Sequence, residues 1–95
     1  MSENLEFSIV VPVFNEAENV ATLINEIAQA HAGRAYEMIF VDDCSTDETR
    51  ATLAALKDVH PQLRVLSHRK NSGQSRSIRS GILAARSPVI GTLDG

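Results

Sequence analysis

Cysteine, tryptophan and long apolar runs are what this 95-residue sequence has least of. It holds one cysteine, Cys44, no tryptophan and only 4% aromatic residues. A single thiol makes no internal disulfide, and no Cys/His group has the spacing of a structural zinc site, so the chain reads as a protein of a reducing compartment, the cytoplasm. The longest apolar run, Ile9 to Phe14, contains Pro12 and is far too short to cross a bilayer. Residues 1–6 carry two acids and no base, unlike the basic start of a secretory signal. Repeats, linkers and low-complexity segments are also absent. With 43% apolar and 22% charged residues, the composition excludes a disordered or fibrous chain and leaves one small soluble domain.

Charge is unevenly placed. Residues 1–60 hold 11 acids against 3 Lys/Arg, whereas residues 61–95 hold 1 acid against 6. Arg69, Lys70, Arg76 and Arg79 fall close together, enough basic charge to meet a diphosphate. Without interleaved aromatics they are too few for a nucleic-acid surface, so no nucleic-acid partner is expected.

Hydrophobic periodicity then divides the chain into alternating elements. Phe7 to Val13 is β-branched and nearly all apolar, as expected of a parallel strand covered on both faces, with Pro12 limiting how far its pairing continues. Asn15 with Glu18 resembles a capping box, and Val20, Leu23, Ile24, Ile27 and His31 follow at helical spacing until Gly33, predicting a helix over 16–32. Tyr36 to Val41 predicts a second buried strand. Ser45 with Glu48 forms a second capping box, opening a helix to about Leu56. Leu63 to Ser67 predicts a third strand, Ser75 to Ala85 an amphipathic helix, and Val89 to Leu93 a fourth strand. Strands and helices in this alternation, joined by short loops, predict an α/β fold with a parallel, doubly wound, Rossmann-like sheet. Ligands of such sheets lie beyond the carboxyl ends of the strands, where the winding reverses.

The residues just after the strands are therefore the candidates for chemistry: Phe14-Asn15-Glu16, Asp42-Asp43-Cys44-Ser45, the basic loop to Gly73, and Asp94-Gly95. Three of these four places hold carboxylates. Acids crowded at one sheet edge repel unless a cation or hydrogen-bond donors lie between them, and a divalent metal with a diphosphate would satisfy both charge sets. A carboxylate fixed at a strand end accepts from a base N–H and rejects bases that lack that donor. Cys44 reads as a loop filler, since no base is placed beside it. His31, His60 and His68 are scattered and are assigned no ligand role.

Four runs stand in order along the chain: Pro12-Val13-Phe14-Asn15-Glu16, Val41 to Asp47, Asn71-Ser72-Gly73-Gln74 leading to Gly81, and Thr92-Leu93-Asp94-Gly95. Together they resemble the successive motifs of family 2 glycosyltransferases. The likeness is greatest to the branch that acts on dolichol- or undecaprenyl-phosphate, and it covers essentially the whole chain. It implies the amino-terminal, nucleotide-binding half of a GT-A fold over residues 1–95. The donor is expected to be a UDP- or GDP-linked sugar and the acceptor a polyprenyl phosphate at the cytoplasmic face of a membrane. Pro12, Phe14 and Glu16 would line the nucleoside pocket, Asp43, with Asp42 as the alternative, would face the base, and Val41 would belong to the same segment.

By the same resemblance Gly73 admits close backbone approach and Arg76, with Arg79 beside it, meets the phosphates. Asp94 opens an Asp-x-Asp motif that binds Mg²⁺ or Mn²⁺ and offsets charge developing on the departing nucleoside diphosphate, the catalytic contribution assigned to this chain. The second Asp of that motif and the acceptor side fall past Gly95, so donor binding rather than turnover is expected of these residues alone. An unpaired strand edge predicts a homo-oligomer. Two other readings compete: a receiver-like Mg²⁺-binding signalling module, and a unit serving assembly only.

Overall fold

The computed structural model describes residues 5–93. Its elements are β1 (Phe7–Val13), α1 (Val20–Ala30), β2 (Tyr36–Asp42), α2 (Thr49–Lys57), β3 (Leu63–Ser67), α3 (Gln74–Ala84) and β4 (Ile90–Thr92). The four strands make one parallel sheet in the order β3-β2-β1-β4. The chain steps outward from β1 to β3 and then returns past its starting strand, which is the doubly wound pattern expected. The reversal falls between β1 and β4.

Strand alternation sends the core to two faces. Ile9, Val11 and Val13 of β1, with Met38 and Phe40 of β2, pack against Val20, Ile24 and Ile27 of α1 and Leu53 of α2. Val10, Ile39 and Val41 point the other way and make a smaller cluster with Leu66, Ala84 and Ile90. Each fully buried Ile, Met or Phe in the larger cluster contributes on the order of 1.5–3 kcal/mol. His31 closes the amino-terminal end of the sheet by packing edge-on against Phe7, with ring centroids 4.9 Å apart.

Pro12 explains why β1 parts from β4. The Ser8 N–H donates to Val89 and the Leu93 N–H to Val10, so the even-numbered groups of β1 face β4. Pro12 has no N–H for the next rung on that side, and the register ends at Val10 and Thr92. On the other side, pairing with β2 runs on to Val13 and Asp42. The imino acid therefore opens the sheet at its reversal point while leaving the central ladder whole.

The helix starts depart from the capping boxes read in the sequence. Neither Asn19 nor Glu48, which precede α1 and α2, makes a side-chain cap hydrogen bond. Asn15 adopts a φ of 53°, and its Oδ1 accepts the Thr46 N–H at 2.8 Å instead of capping its own helix. The Glu16 N–H donates to Thr49 Oγ1 at 2.8 Å and the Ala17 N–H to Asp47 Oδ2 at 3.4 Å. Those early N–H groups are spent on the neighbouring loop, so α1 begins at Val20 rather than at Glu16. Ser45 likewise donates to Asp42 Oδ1 rather than capping α2.

A polar cluster invisible in the sequence lies at the amino-terminal side of the sheet. Glu37 is 3% exposed, and its carboxylate accepts from Ser8 Oγ at 2.6 Å, the Arg86 N–H at 2.7 Å and Arg64 Nη1 at 2.9 Å. Burial pushes its pKa up, but these three donors outweigh burial and hold the carboxyl below its usual range. Glu37 thereby fastens the exit of α3 to the central strands.

Candidate functional site

A solvent-open cleft lies at the carboxyl ends of β1 and β2, against the first turn of α3. Its walls are Pro12, Val13, Phe14, Glu16, Asp43, Gln74 and Ser77. Its volume of about 140 Å³ is below the roughly 300–1,000 Å³ of complete small-molecule sites, so it accommodates one ring-sized moiety of a larger ligand.

Two loops build its near wall by holding each other. The Asn15 N–H donates to Ser45 Oγ at 2.9 Å, while Asn15 Oδ1 takes the Thr46 N–H, so the β1–α1 loop is fixed on the β2–α2 loop. Asp47 Oδ1 accepts from the Thr49 hydroxyl and, at 2.9 Å, from the Thr49 N–H. The Thr49 hydroxyl and backbone hold the Asp47 carboxyl below its ordinary pKa. Thr49 is fully buried and accepts the Glu16 N–H. Phe14, at 45% exposure, is left facing out of this frame. The Glu16 carboxylate is steadied by Asn19 Nδ2 at 3.1 Å.

Asp43 forms the floor. It is 4% exposed and anchors the loop before α3: Oδ1 accepts the Ser72 N–H and Oδ2 the Gly73 N–H, both at 2.8 Å. His68 Nδ1 lies 2.8 Å from Oδ1 as well. Burial pushes the Asp43 carboxyl up; the hydrogen bond from His68 and the two backbone donors overcome this and hold it below the usual range. Gly73 reaches Asp43 through a φ of 93° with ψ 162°, a region essentially reserved for glycine. Its N–H is thus committed to Asp43.

The structure separates the sequence candidates. Pro12, Phe14, Glu16 and Asp43 come together in the cleft. Asp42 does not: it is fully buried on the opposite face of β2, bound by Ser45 and by Arg50 Nε at 3.6 Å. Val41 is also fully buried, in the core cluster with Val10 and Ile39. Gly73 shapes the loop that leads into α3, whereas Arg76 and Arg79 stand exposed on that helix outside the cleft walls. Asp94 lies outside the described residues.

Among the described residues the crowding of acids expected at this edge does not occur. Asp42 and Asp43 point to opposite faces, Glu16 is held by Asn19, and each carboxylate has its own donors. Among the described residues no group of three or more His, Cys, Asp or Glu is placed to hold a metal ion.

The sequence assigned His68 no ligand role, and Ser77 carried no reading. For His68 a signal existed: Asp42 pairs with Ser67, so parallel register sets residue 68 beside Asp43. Cys44, at a φ of 63°, donates its thiol to the Arg69 carbonyl at 3.4 Å and is no candidate nucleophile.

The model of the family described as glycosyl transferase family 2 matches residues 8–95. The chain is 39% identical to the dodecaprenyl-phosphate galacturonate synthase of Rhizobium johnstonii, over 98% of this chain and 28% of that protein. It is 31% identical to the dolichol-phosphate mannosyltransferase of Pyrococcus furiosus, over 95% of this chain and 25% of that protein. Its fold matches the mannosyltransferase PcManGT from Pyrobaculum calidifontis in complex with GDP-Man and Mn²⁺, with a TM-score of 0.86 and 19% identity over 99% of this chain and 30% of that one. It also matches S. aureus TarS 1-349 in complex with UDP-GlcNAc, with a TM-score of 0.80 and 25% identity over 95% of this chain and 26% of that one. The chain therefore spans between a quarter and a third of the length of these relatives. No helix among the described residues is long and apolar enough to cross a membrane.

Proposed function

The chain belongs to glycosyl transferase family 2, and from that premise we propose that its cleft holds the nucleoside of a UDP- or GDP-linked sugar. Residues 1–95 would be the donor-binding half of a catalytic domain. The whole protein would transfer that sugar to a polyprenyl phosphate at the cytoplasmic face of a membrane. What carries this reading is one juxtaposition: an exposed aromatic ring, a buried ionised carboxylate and a second carboxylate share a cleft beside the sheet's reversal point.

Each wall suits part of a nucleoside. Phe14 offers a face for a base to stack on. Asp43, already fixed by three donors, offers its remaining acceptor capacity to a base N–H. Uracil and guanine carry such a ring N–H next to a carbonyl, and a base without it leaves the buried carboxylate unpaired at that edge. Glu16 at the rim suits ribose hydroxyls. The first turn of α3, entered through Gly73, presents backbone N–H groups toward the side where the diphosphate would lie, with Arg76 one turn away for added positive charge.

A Mg²⁺ or Mn²⁺ ion would supply charge neutralisation for the departing diphosphate. The described residues hold no cluster fitted to it, so its place in this reading rests on Asp94 alone. Self-association through β4, which among the described residues pairs only with β1, is a further part of the proposal.

Calorimetry of the chain with UDP, GDP and their sugars in Mn²⁺ tests the reading. Binding by the wild type that is abolished in a folded Asp43→Ala variant supports it. No binding by a folded wild type, or binding untouched by Asp43→Ala, contradicts it.

A further inference from the structure

Three side chains from separate segments form one hydrogen-bonded line beneath the cleft. Ser80 Oγ of α3 lies 2.9 Å from His68 Nε2, and His68 Nδ1 lies 2.8 Å from Asp43 Oδ1. We infer that His68 is a positioning residue for Asp43: it occupies one carboxylate oxygen so that the other, Oδ2, becomes the ligand's acceptor, and thereby sets which bases the cleft selects. The inference rests on the reading of the cleft as a nucleoside site.

The order of protons follows from the partners. An ionised carboxylate only accepts, so the proton between His68 and Asp43 belongs to Nδ1. In the neutral ring Nε2 accepts, and the Ser80 hydroxyl donates to it. In the charged ring Nε2 donates, and the hydroxyl turns to accept. Ser80 thus keeps His68 in place in either charge state.

The occupancy of Asp43 then decides its function. Oδ1 receives two donors, His68 Nδ1 and the Ser72 N–H, which fills its two lone pairs. Oδ2 receives the Gly73 N–H, leaving a second lone pair for a ligand. Donors on both oxygens fix the carboxylate against rotation, so the open site has one direction. An amide-type ring N–H fits it, whereas a bare ring nitrogen, itself an acceptor, is repelled. Without His68, Oδ1 would also hold an open acceptor site, and only the Ser72 and Gly73 N–H groups would hold the carboxylate.

The atoms follow the order of a nucleophile-activating triad, but Ser80 lies in the interior of α3. Neighbouring N–H groups there are spent in the helix ladder, so none is free to stabilise an oxyanion. The line positions a group and breaks no bond.

The test is calorimetric titration of the wild-type chain, His68→Phe and His68→Asn with UDP, GDP and their base-N-methylated forms in Mn²⁺, with thermal melting to confirm folding. The wild type should bind the unmethylated nucleotide and reject the methylated one. His68→Phe should bind about tenfold more weakly, the loss expected for one charge-assisted hydrogen bond, and should discriminate less between the two forms. His68→Asn, whose amide N–H replaces Nδ1–H, should recover most of both. If the Phe variant does not fold, His68→Gln, whose amide stands in the place of Nε2, takes its role with the same loss expected. A folded Phe or Gln variant with wild-type affinity and discrimination overturns the role of His68 while leaving the cleft intact. Absence of binding by the folded wild type overturns the cleft reading and this inference with it.

Discussion

Gly81 of α3 lies so close to Val10 of β1 that a Cβ at position 81 would overlap Val10 Cγ1 and come within 3.1 Å of Cγ2. Val10 is fully buried in a central strand, so neither partner has room to yield. This approach sets the height of α3 over the sheet, and with it the place of Gln74 and Ser77 in the cleft wall. Gly81→Ala should therefore destabilise the fold by about 1–3 kcal/mol despite alanine's better helix propensity. Adding Val10→Ala should cost less in the Gly81→Ala background than in the wild type. Urea denaturation of the four proteins checks this, and strict additivity would show that the contact is not the cause.

Thr49 joins the two loops of the near wall through one buried hydroxyl. Thr49→Val keeps the shape but removes the acceptor for the Glu16 N–H and the donor to Asp47. It should cost about 1–3 kcal/mol, the penalty of leaving buried polar groups unpaired. Nucleotide affinity should fall as well, because the segment carrying Phe14 and Glu16 loses its fixed position. Thermal melting and calorimetry on the same variant measure both effects.

Phe14 should separate binding from stability. The residue is 45% exposed, so Phe14→Ala removes little core packing and the melting temperature should stay within a few degrees. The same change should weaken nucleotide binding by about 1–3 kcal/mol, the range of base–aromatic stacking. An unchanged dissociation constant would remove Phe14 from the site.

Acid should unfold this chain in a defined window. Glu37 and Asp43 are both held below their ordinary range by hydrogen bonds made only in the folded state. As pH falls, the unfolded chain takes up protons first. The stability these groups contribute is therefore complete above the unfolded values, about 3.9 for Asp and 4.3 for Glu, and is lost as pH drops through the lower folded ones. Melting temperature should fall steeply below about pH 4. Glu37→Gln should lower stability at neutral pH and flatten the acid limb. A melting temperature that rises toward low pH would contradict the assignment.

Cys44 occupies a left-handed conformation, with a φ of 63°. Cys44→Gly should be neutral or stabilising, since the gain at positive φ offsets the weak thiol hydrogen bond. Cys44→Val should destabilise by about 1–2 kcal/mol, because a β-branched residue is disfavoured there. Denaturant midpoints of the pair decide it.

What could be read from the sequence depended on the range of the interaction. β1 and β3 occupy the spans expected because apolar β-branched runs bounded by turn residues specify buried strands locally. Gly33 and Gly73 mark turns for an equally local reason, their positive φ. The start of α1 was misread because Asn15 and the N–H groups after it find partners some thirty residues away, in the loop before α2. Capping logic confined to four residues cannot see that competition. Glu37 received no reading of its own within the strand expected over 36–41, and its meaning appears only when β3 brings Arg64 and the end of α3 brings Arg86 beside it. Of the candidate site, Pro12, Phe14, Glu16 and Asp43 were legible from the strand ends. The places of the other two depend on the sheet: pleat direction turns Asp42 to the face away from the cleft, and packing against Val10 and Ile39 buries Val41 below it.

The location of nucleotide binding is the central claim, and a titration of the ¹⁵N-labelled chain with UDP and with GDP in Mn²⁺, followed by backbone amide shifts, tests it most directly. The account predicts saturable shifts concentrated at Phe14, Glu16, Asp43, Gly73, Gln74 and Ser77, with Tyr36, Glu37 and Arg64 at the other end of the sheet unmoved. Shifts confined to that opposite end, or no saturable shift with either nucleotide, would contradict it.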